Sequence, residues 1–544
     1  MSLNFFIFFL SYLIILISIF GYGSFILSFE NNKKDYFNLG QIGLVGIFFL
    51  IIYSYSSNIF IAHSKTHNML FILIGVLFFF YFLKKNFDKQ NFKKDFVYLG
   101  IIFLILFFSL LIKKNHDDFP YYHFAYTYNL TQESLNFGIG KFNHGFRTPS
   151  SIFYLNSLFY LPYVEYYLFN FSSVFIMGFS NFILIKKIFK FNYKNNQIVF
   201  SNYLSLLSFI FINIFFYRIS EHGTDRSAQI LVLVLFVYFL DYFYKKKNLK
   251  DDLIIIYVLF GLIISLKSFY FLYILFLIPF FLFINNNFKN FFSSLKILLH
   301  NKYFYYLICL ISLILLSYFS NTGCLLYPVH FTCFENYAWS IPSNNVKLMN
   351  DWYELWSKAG ANPNFRVDNP NQYIIGFNWL SNWINNYFFT KVTDFILGIF
   401  LILIIIYLFF IKFKKKNKVK ISKFIYITYL ILILLFFEWF YNHPALRYGG
   451  YCIIALLIFI PFSFYLSKSQ INIKKFHKIA LILILLTVTI FETRNINRLF
   501  KEINLYDYKP FSETFYSIDD SYFNLHYKMK DLKNKNGIFS KTIF

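Results

Sequence analysis

Charge is scarce in this chain, and acid scarcer still. Of 544 residues 14% are charged, and 26 Asp and Glu stand against 51 Lys and Arg. With 58% of the residues hydrophobic, a soluble globular protein is excluded. Apolar runs of roughly twenty residues recur from end to end, the length that crosses about 30 Å of hydrocarbon. Other absences narrow the function. There is no Walker loop and no dinucleotide fingerprint after a strand, which argues against an ATP-driven transporter on this chain. No internal repeat is visible. No basic-aromatic module accompanies the net charge of +25, so nucleic acid is not expected as a partner. Most lysines instead sit in short connections between apolar runs, as topology determinants beside an anionic leaflet do. The first apolar stretch, from about Asn4 to Ser28, lacks a basic leader and a small-residue cleavage site and reads as a retained span.

The runs predict an all-α, polytopic transmembrane bundle of about fourteen spans: 4–28, 39–62, 69–83, 97–112, 165–185, 198–217, 227–244, 253–266, 268–284, 303–320, 392–411, 424–440, 449–466 and 478–492. The 253–284 region could instead be one long element bent around Lys267. Connections after odd-numbered spans are rich in lysine: Lys33-Lys34, Lys84 to Lys94, Lys186 to Lys194, Lys245 to Lys250, Lys289 to Lys302, Lys412 to Lys423 and Lys468 to Lys478. Those after even-numbered spans are poorer, the C-terminal tail excepted. The positive-inside rule then makes the first set cytoplasmic and both termini external. Ile152 to Leu161 is expected to be an interfacial helix, since an extra span would reverse every later connection. The chain so divides into a four-span segment (1–112), external loop 1 (113–164), central spans (165–320), external loop 2 (321–390), C-terminal spans (391–492) and a polar-aromatic tail (493–544). Every arginine (Arg147, Arg218, Arg226, Arg366, Arg447, Arg494, Arg498) falls on the expected external side. A guanidinium fork suits carboxylate or phosphate where a lysine supplies only a point charge.

The densest polar cluster is His116-Asp117-Asp118-Phe119-Pro120-Tyr121-Tyr122-His123, which abuts the end of a span. Ionisable groups at a hydrocarbon boundary are costly. Adjacent residues point differently on any regular backbone, so one of Asp117 and Asp118 would face a site while the other meets backbone or solvent. That carboxylate could be a general base toward an acceptor hydroxyl or a ligand for a divalent cation such as Mg or Mn. The other option is a solvated turn before Pro120. His116, His123 and His144 match no zinc spacing, so no histidine metal site is expected. His123 fits better as a hydrogen-bond donor to a phosphate or sugar.

Further candidates lie on the same side. Arg147 could clamp a phosphate, while Ser150 and Ser151 cap the next helix. In Glu221-His222-Gly223-Thr224-Asp225-Arg226, Asp225 and Arg226 would meet substrate or pair with other loop charges. Lys267, alone between two apolar runs, is either a short turn or a buried cation. The segment Glu438 to Tyr448 delivers His443 and Arg447 to the span ends, where Arg447 could hold a lipid phosphate or make an ordinary headgroup contact. Cys324 and Cys333 lie close together on the expected oxidising side, so a disulfide is feasible. Cys309 and Cys452 fall within spans. Trp339, Trp352, Trp356, Trp379 and Trp383 crowd loop 2, either as headgroup anchors or as platforms for sugars.

The His116 to His123 cluster, the progression from Gly138-Ile139-Gly140 through Arg147 to Ser150-Ser151, the Gly323 to Pro328 segment and the Pro444 to Arg447 turn resemble an uncharacterised family of bacterial polytopic membrane proteins, over most of the chain. More distantly, the layout is similar to that of GT-C glycosyltransferases: many spans, an acidic motif in a major external loop and an arginine near a late span. The acidic loop here follows the fourth span rather than the first, which departs from that pattern. The likeness implies an inner-membrane enzyme that transfers a sugar from a polyprenyl-phosphate carrier to a glycan, lipid or protein on the non-cytoplasmic face. Asp117 or Asp118 would be catalytic, and His116, His123, Arg147, Asp225, Arg226, His443 and Arg447 would bind substrate. A transporter or flippase of a lipid-linked glycan or small solute, or an O-antigen polymerase-type protein, is the alternative.

Overall fold

The computed structural model describes residues 3–30, 37–86, 90–190, 200–221, 223–245, 249–288, 291–362, 367–410, 422–468, 471–512 and 521–536. His222, Arg366 and, of the lysine-rich connections, Lys33, Lys34, Lys194, Lys289 and Lys412 lie outside them. The described residues form helices and turns, with no strand among them. The chain opens with four helices, α1 (Leu3–Ser28), α2 (Leu39–Asn58), α3 (Lys65–Asn86) and α4 (Gln90–Leu110). Loop 1 contains α5 (Phe124–Gln132) and α6 (Ser151–Ser157), and the central group is α7 (Phe171–Phe189), α8 (Phe200–Phe215), α9 (Gly223–Lys245), α10 (Leu249–Leu266), α11 (Leu277–Phe288), α12 (Phe291–Leu299) and α13 (Lys302–Thr322). Loop 2 holds α14 (Ser343–Lys358), α15 (Pro370–Ile374) and α16 (Leu380–Trp383). The last group is α17 (Thr393–Phe410), α18 (Lys423–Asn442), α19 (Gly450–Ser467), α20 (Ile473–Tyr506) and α21 (Ser521–Asn536).

Among the described residues ten helices are long and apolar enough to cross a membrane, and the chain is a multi-pass integral membrane protein. The expected count of about fourteen is higher because four of its spans do not combine that length with that apolarity. Helix α4 opens with Lys93, Lys94 and Asp95, which leaves its apolar part short. The segments 200–215, 252–266 and 268–284 are apolar but brief, and the last begins as a 3-10 helix (Ser268–Phe276). Helices α7 and α9 are buried along 89% and 94% of their most apolar stretches, against 33% for α3. The first two therefore form the centre of the bundle and α3 its lipid-facing rim. The same rim is visible on α17, where Leu397, Leu401, Ile404 and Leu408 expose one helix face.

Close helix contact in lipid needs small residues, because hydrocarbon gives packing no hydrophobic drive. A Cβ on Gly21 of α1 would overlap the Gly75 carbonyl of α3, and one on Gly23 would overlap the Ile42 carbonyl of α2. Loop 1 is folded into the bundle rather than laid on it. The expected interfacial helix is α6, and it is buried at every residue. Its polar groups explain why: the hydroxyl of Ser157 meets His63 Nδ1 at 2.6 Å, and Asn68 Nδ2 donates to the Ser157 and Tyr160 carbonyls at 2.8 and 3.0 Å. Loops 1 and 2 are also tied together. Asn321 Nδ2 donates to the Phe146 carbonyl and to the Tyr126 hydroxyl, both at 3.0 Å, and Lys141 Nζ reaches the Ala338 carbonyl. Cys324 and Cys333 are joined by a disulfide.

Two expectations follow. Asn321→Leu keeps the branching of the side chain but removes a donor from two buried acceptors, a loss of about 1–3 kcal/mol, and should lower the thermal unfolding midpoint of the purified protein. Leu348 on α14 is 66% exposed and marks the side to which the loops belong. In a Cys309→Ser background, Leu348→Cys should react with an impermeant maleimide from outside intact cells. Labelling only after lysis would reverse the orientation.

Candidate functional site

Four charged side chains from distant parts of the sequence meet at the loop end of the bundle. Asp118 stands just after α4, ahead of a π-helical turn (Phe119–His123) that Pro120 opens. Asp225 lies in the first turn of α9. Lys267 sits where α10 breaks into the 3-10 stretch, with extended backbone at φ −163°. Arg447 is carried by a one-turn 3-10 helix (Leu446–Tyr448) between α18 and α19, and Gly449 follows it at φ +97°, a value that favours glycine.

Arg447 is shared. Its Nη2 lies 3.2 Å from Asp118 Oδ2 and its Nε 3.2 Å from Asp225 Oδ2. The other oxygen of Asp225 takes Lys267 Nζ. Two carboxylates and two cations therefore cancel in a partly dehydrated space. Rings close the walls: the guanidinium of Arg447 lies 5.5 Å from the centres of Trp356 and Tyr448, and Lys267 Nζ lies 4.9 Å from that of Tyr448.

The Arg447 turn is held at four points. Trp383 Nε1 donates to the Pro444 carbonyl and Trp439 Nε1 to the Ala445 carbonyl, each at 3.0 Å. The Leu446 amide donates to the Tyr387 hydroxyl at 2.8 Å, and Gln229 Nε2 donates to the Arg447 carbonyl at 3.2 Å. Gln229 stands one turn after Asp225 on α9, so a single helix face fixes both the guanidinium and its backbone.

Burial alone would raise the Asp118 pKa, but Arg447, His116 and His123 outweigh it and hold the carboxyl below its usual range. His116 is pushed down by burial, against the pull of Asp118. Its Nδ1 accepts the Asp118 amide at 3.1 Å. The same nitrogen lies 3.4 Å from Asp118 Oδ2. His123 is driven to about 3, chiefly by burial. It also lines a small recess of mixed polarity with Phe119, Phe153, Asn156, Glu221 and Thr224.

The other candidates fall elsewhere. Asp117, beside Asp118, is exposed. Arg147 is buried one layer away, with Nε donating to the Gly140 carbonyl at 2.8 Å and Nη1 reaching the Tyr327 hydroxyl at 3.5 Å. His144 bridges toward it, contacting the Tyr121 hydroxyl at 3.2 Å. Arg226 is sandwiched between Phe216 and Tyr451 at 4.7 and 4.5 Å, away from the Asp118 cluster. His443 is pushed to about 4 by burial and by Lys358. Trp379 and Trp383 are buried rather than set as headgroup anchors, whereas Trp352 is exposed. Among the described residues no three His, Cys, Asp or Glu side chains are grouped to hold a metal ion. Sequence reasoning left Lys267 undecided, placed Trp356 only among the loop 2 tryptophans, and passed over Gln229 and Tyr448.

The depressed histidines set the acid stability. An unfolded imidazole titrates near 6.5 and that of His123 near 3. Between those values the unfolded chain binds the extra proton, so stability falls as the pH drops. His123→Gln should flatten the pH dependence of thermal unfolding below pH 6.5, and an unchanged slope would assign the acid sensitivity to other groups.

A family model described as a domain of unknown function (DUF8201) matches residues 5–454, a stretch that includes Asp118, Asp225, Lys267 and Arg447. No curated protein and no solved structure matches the chain. The match spans most of the sequence, and the chain belongs to the DUF8201 family.

Proposed function

We propose that the chain is a membrane glycosyltransferase of GT-C type, moving a sugar from a polyprenyl-phosphate carrier to a hydroxyl of a glycan, lipid or protein. The resemblance to bacterial polytopic membrane proteins implies an inner membrane as the setting, and the lysine alternation favours a site on its non-cytoplasmic side. One observation carries the proposal: the Asp118 carboxylate and the Arg447 fork lie 3.2 Å apart at the loop end of a helical bundle. An acid poised beside a cation at headgroup depth is what a displacement with an anionic leaving group requires.

In this scheme the donor phosphate reaches Arg447 and Lys267 from the bilayer side and takes the place of Asp118 on the Arg447 fork. Asp118, released, accepts the proton of the acceptor hydroxyl. The hydroxyl oxygen bonds to the anomeric carbon, and the bond from that carbon to the phosphate oxygen breaks. The electron pair stays on the polyprenyl phosphate, whose charge the two cations hold. The donor arrives activated, so no nucleotide is needed. Trp356, Tyr448 and the exposed Trp352 offer ring faces to the sugars.

Asp118→Asn preserves shape and should lower turnover by about 10²–10⁴ with donor affinity little changed. Arg447→Lys keeps a charge but loses the fork, and should weaken donor binding by about 1.5–3 kcal/mol. Both are measured as release of polyprenyl phosphate from polyprenyl-phosphate sugars in proteoliposomes. Near-full turnover in Asp118→Asn would remove this carboxylate from catalysis and favour transport of a lipid-linked glycan.

A further inference from the structure

The segment that carries Asp118 is gripped at both ends by the C-terminal part of the chain, beyond residue 454 where the family match stops. Helix α20 runs for 34 residues, about 51 Å at 1.5 Å per residue, well beyond the hydrocarbon it must cross. Its last turns rise along loop 1. There Glu502, nearly buried, accepts the Lys113 amide at 2.7 Å on one oxygen and the Lys114 amide at 3.1 Å on the other. Those amides lie beyond the end of α4, outside its ladder. One turn earlier Arg498 pairs with Glu221, which also takes Arg218.

The second grip is α21. Tyr522, Phe523, His526, Met529 and Lys533 recur at helical spacing, so they share one face. That face lies on loop 1. Tyr522 meets Phe119 and Phe124 at ring distances of 6.4 and 5.5 Å, Phe523 meets Phe124 and Tyr128 at 5.3 and 5.2 Å, and His526 meets Tyr128 at 5.1 Å. Lys533 Nζ locks the far end onto Glu133 Oε2 at 2.6 Å and Asn136 Oδ1 at 2.5 Å. Phe119 is the next residue after Asp118, and it is buried in this small cluster.

We propose that the C-terminal segment is a positioning brace, in which Glu502 and the α21 face hold residues 113–124 so that Asp118 meets the Arg447 fork. Glu502 and Lys533 are positioning residues: they touch none of the four charges and act through the backbone of Lys113 and Lys114 and through Phe119. The proposal rests on Asp118 being the working carboxylate of the site. Its test needs no donor, so a failure of sugar transfer and a failure of the brace are separate results.

Full-length protein in lipid nanodiscs would be compared as wild type, Glu502→Gln, Glu502→Ala, Lys533→Glu and the charge swap Glu133→Lys with Lys533→Glu. Two quantities are read by mass spectrometry: amide hydrogen exchange across 113–124, and the titration of His116 from the exchange of its ring C2 hydrogen, with exposed His330 as control. In Glu502→Ala and Lys533→Glu, exchange across 113–124 should rise about 10-fold or more, as a local opening does. The His116 titration should move up toward the ordinary imidazole value as burial is lost. Glu502→Gln, which keeps one acceptor oxygen, should lie between, and the charge swap should restore both readings. A drop in thermal stability with the His116 titration unmoved would make the tail a structural prop only and overturn the proposal. Should Glu502→Ala not fold, Glu502→Gln and the swap are judged by the same two readings.

Discussion

One guanidinium between two carboxylates is the interaction around which the loop end of this bundle is arranged. Desolvating an ion costs several kcal/mol even after relaxation, so charges brought together here must cancel. They do so only as a set: Asp118 from loop 1, Asp225 from α9, Lys267 from the break after α10, and Arg447 from the turn between α18 and α19. Removing any one leaves a neighbour uncompensated. The path of the chain through the bundle is therefore constrained at four places by a single electrostatic condition. The breaks in regular helix at Lys267 and at the Arg447 turn are where that condition is met.

The two carboxylates are not equivalent. The side chain of Asp225 is 12% exposed and that of Asp118 28%. Asp225 also holds Lys267 directly, whereas Asp118 pairs with Arg447 and has the His116 imidazole beside it. The inner carboxylate acts as the fixed anchor and the outer as the partner that an incoming anion could replace. Around them the turn bearing Arg447 is pinned by Trp383, Trp439, Tyr387 and Gln229, so the cation keeps its place whichever anion it faces.

The helical, multi-pass architecture was legible because apolar runs of span length have one stable form in lipid, the helix. Span number was less legible, since charges carried inside a helix, such as Lys93 to Asp95 in α4, and 3-10 stretches leave less apolar α-helix than the apolar run suggests. The burial of α6 was not legible at all. Ile152 to Leu161 reads the same whether it lies on a membrane or under a loop, and the partners that decide it, His63 and Asn68, come from α3 and the turn before it. At the site, Asp118, Asp225 and Arg447 stood out as charges at span ends. Their mutual contact did not, because 329 residues separate Asp118 from Arg447 and no local spacing rule reaches so far. Trp379 and Trp383 show the reverse error: tryptophans in loop 2 suggest headgroup anchors or sugar platforms, but a separation of four also suits a buried pair, and theirs packs on Phe440.

The arginines, all on one side in the sequence, do several different jobs there. Arg147 donates to the Gly140 carbonyl and Arg494 to the Ile214 carbonyl at the end of α8. Arg218 and Arg498 converge on Glu221, and Arg226 lies between two rings. Much of the asymmetry thus comes from structure: helix ends and folded loops present unpaired carbonyls, and a guanidinium can reach them with several donors at once. The lysine-rich connections need only a charge. Arg447 differs from the other described arginines in facing two carboxylates with separate edges of its plane. A lysine in its place could balance one charge but could not hold Asp225 through one nitrogen while offering another outward. The arrangement of the four charges therefore depends on the shape of this one cation as much as on its charge.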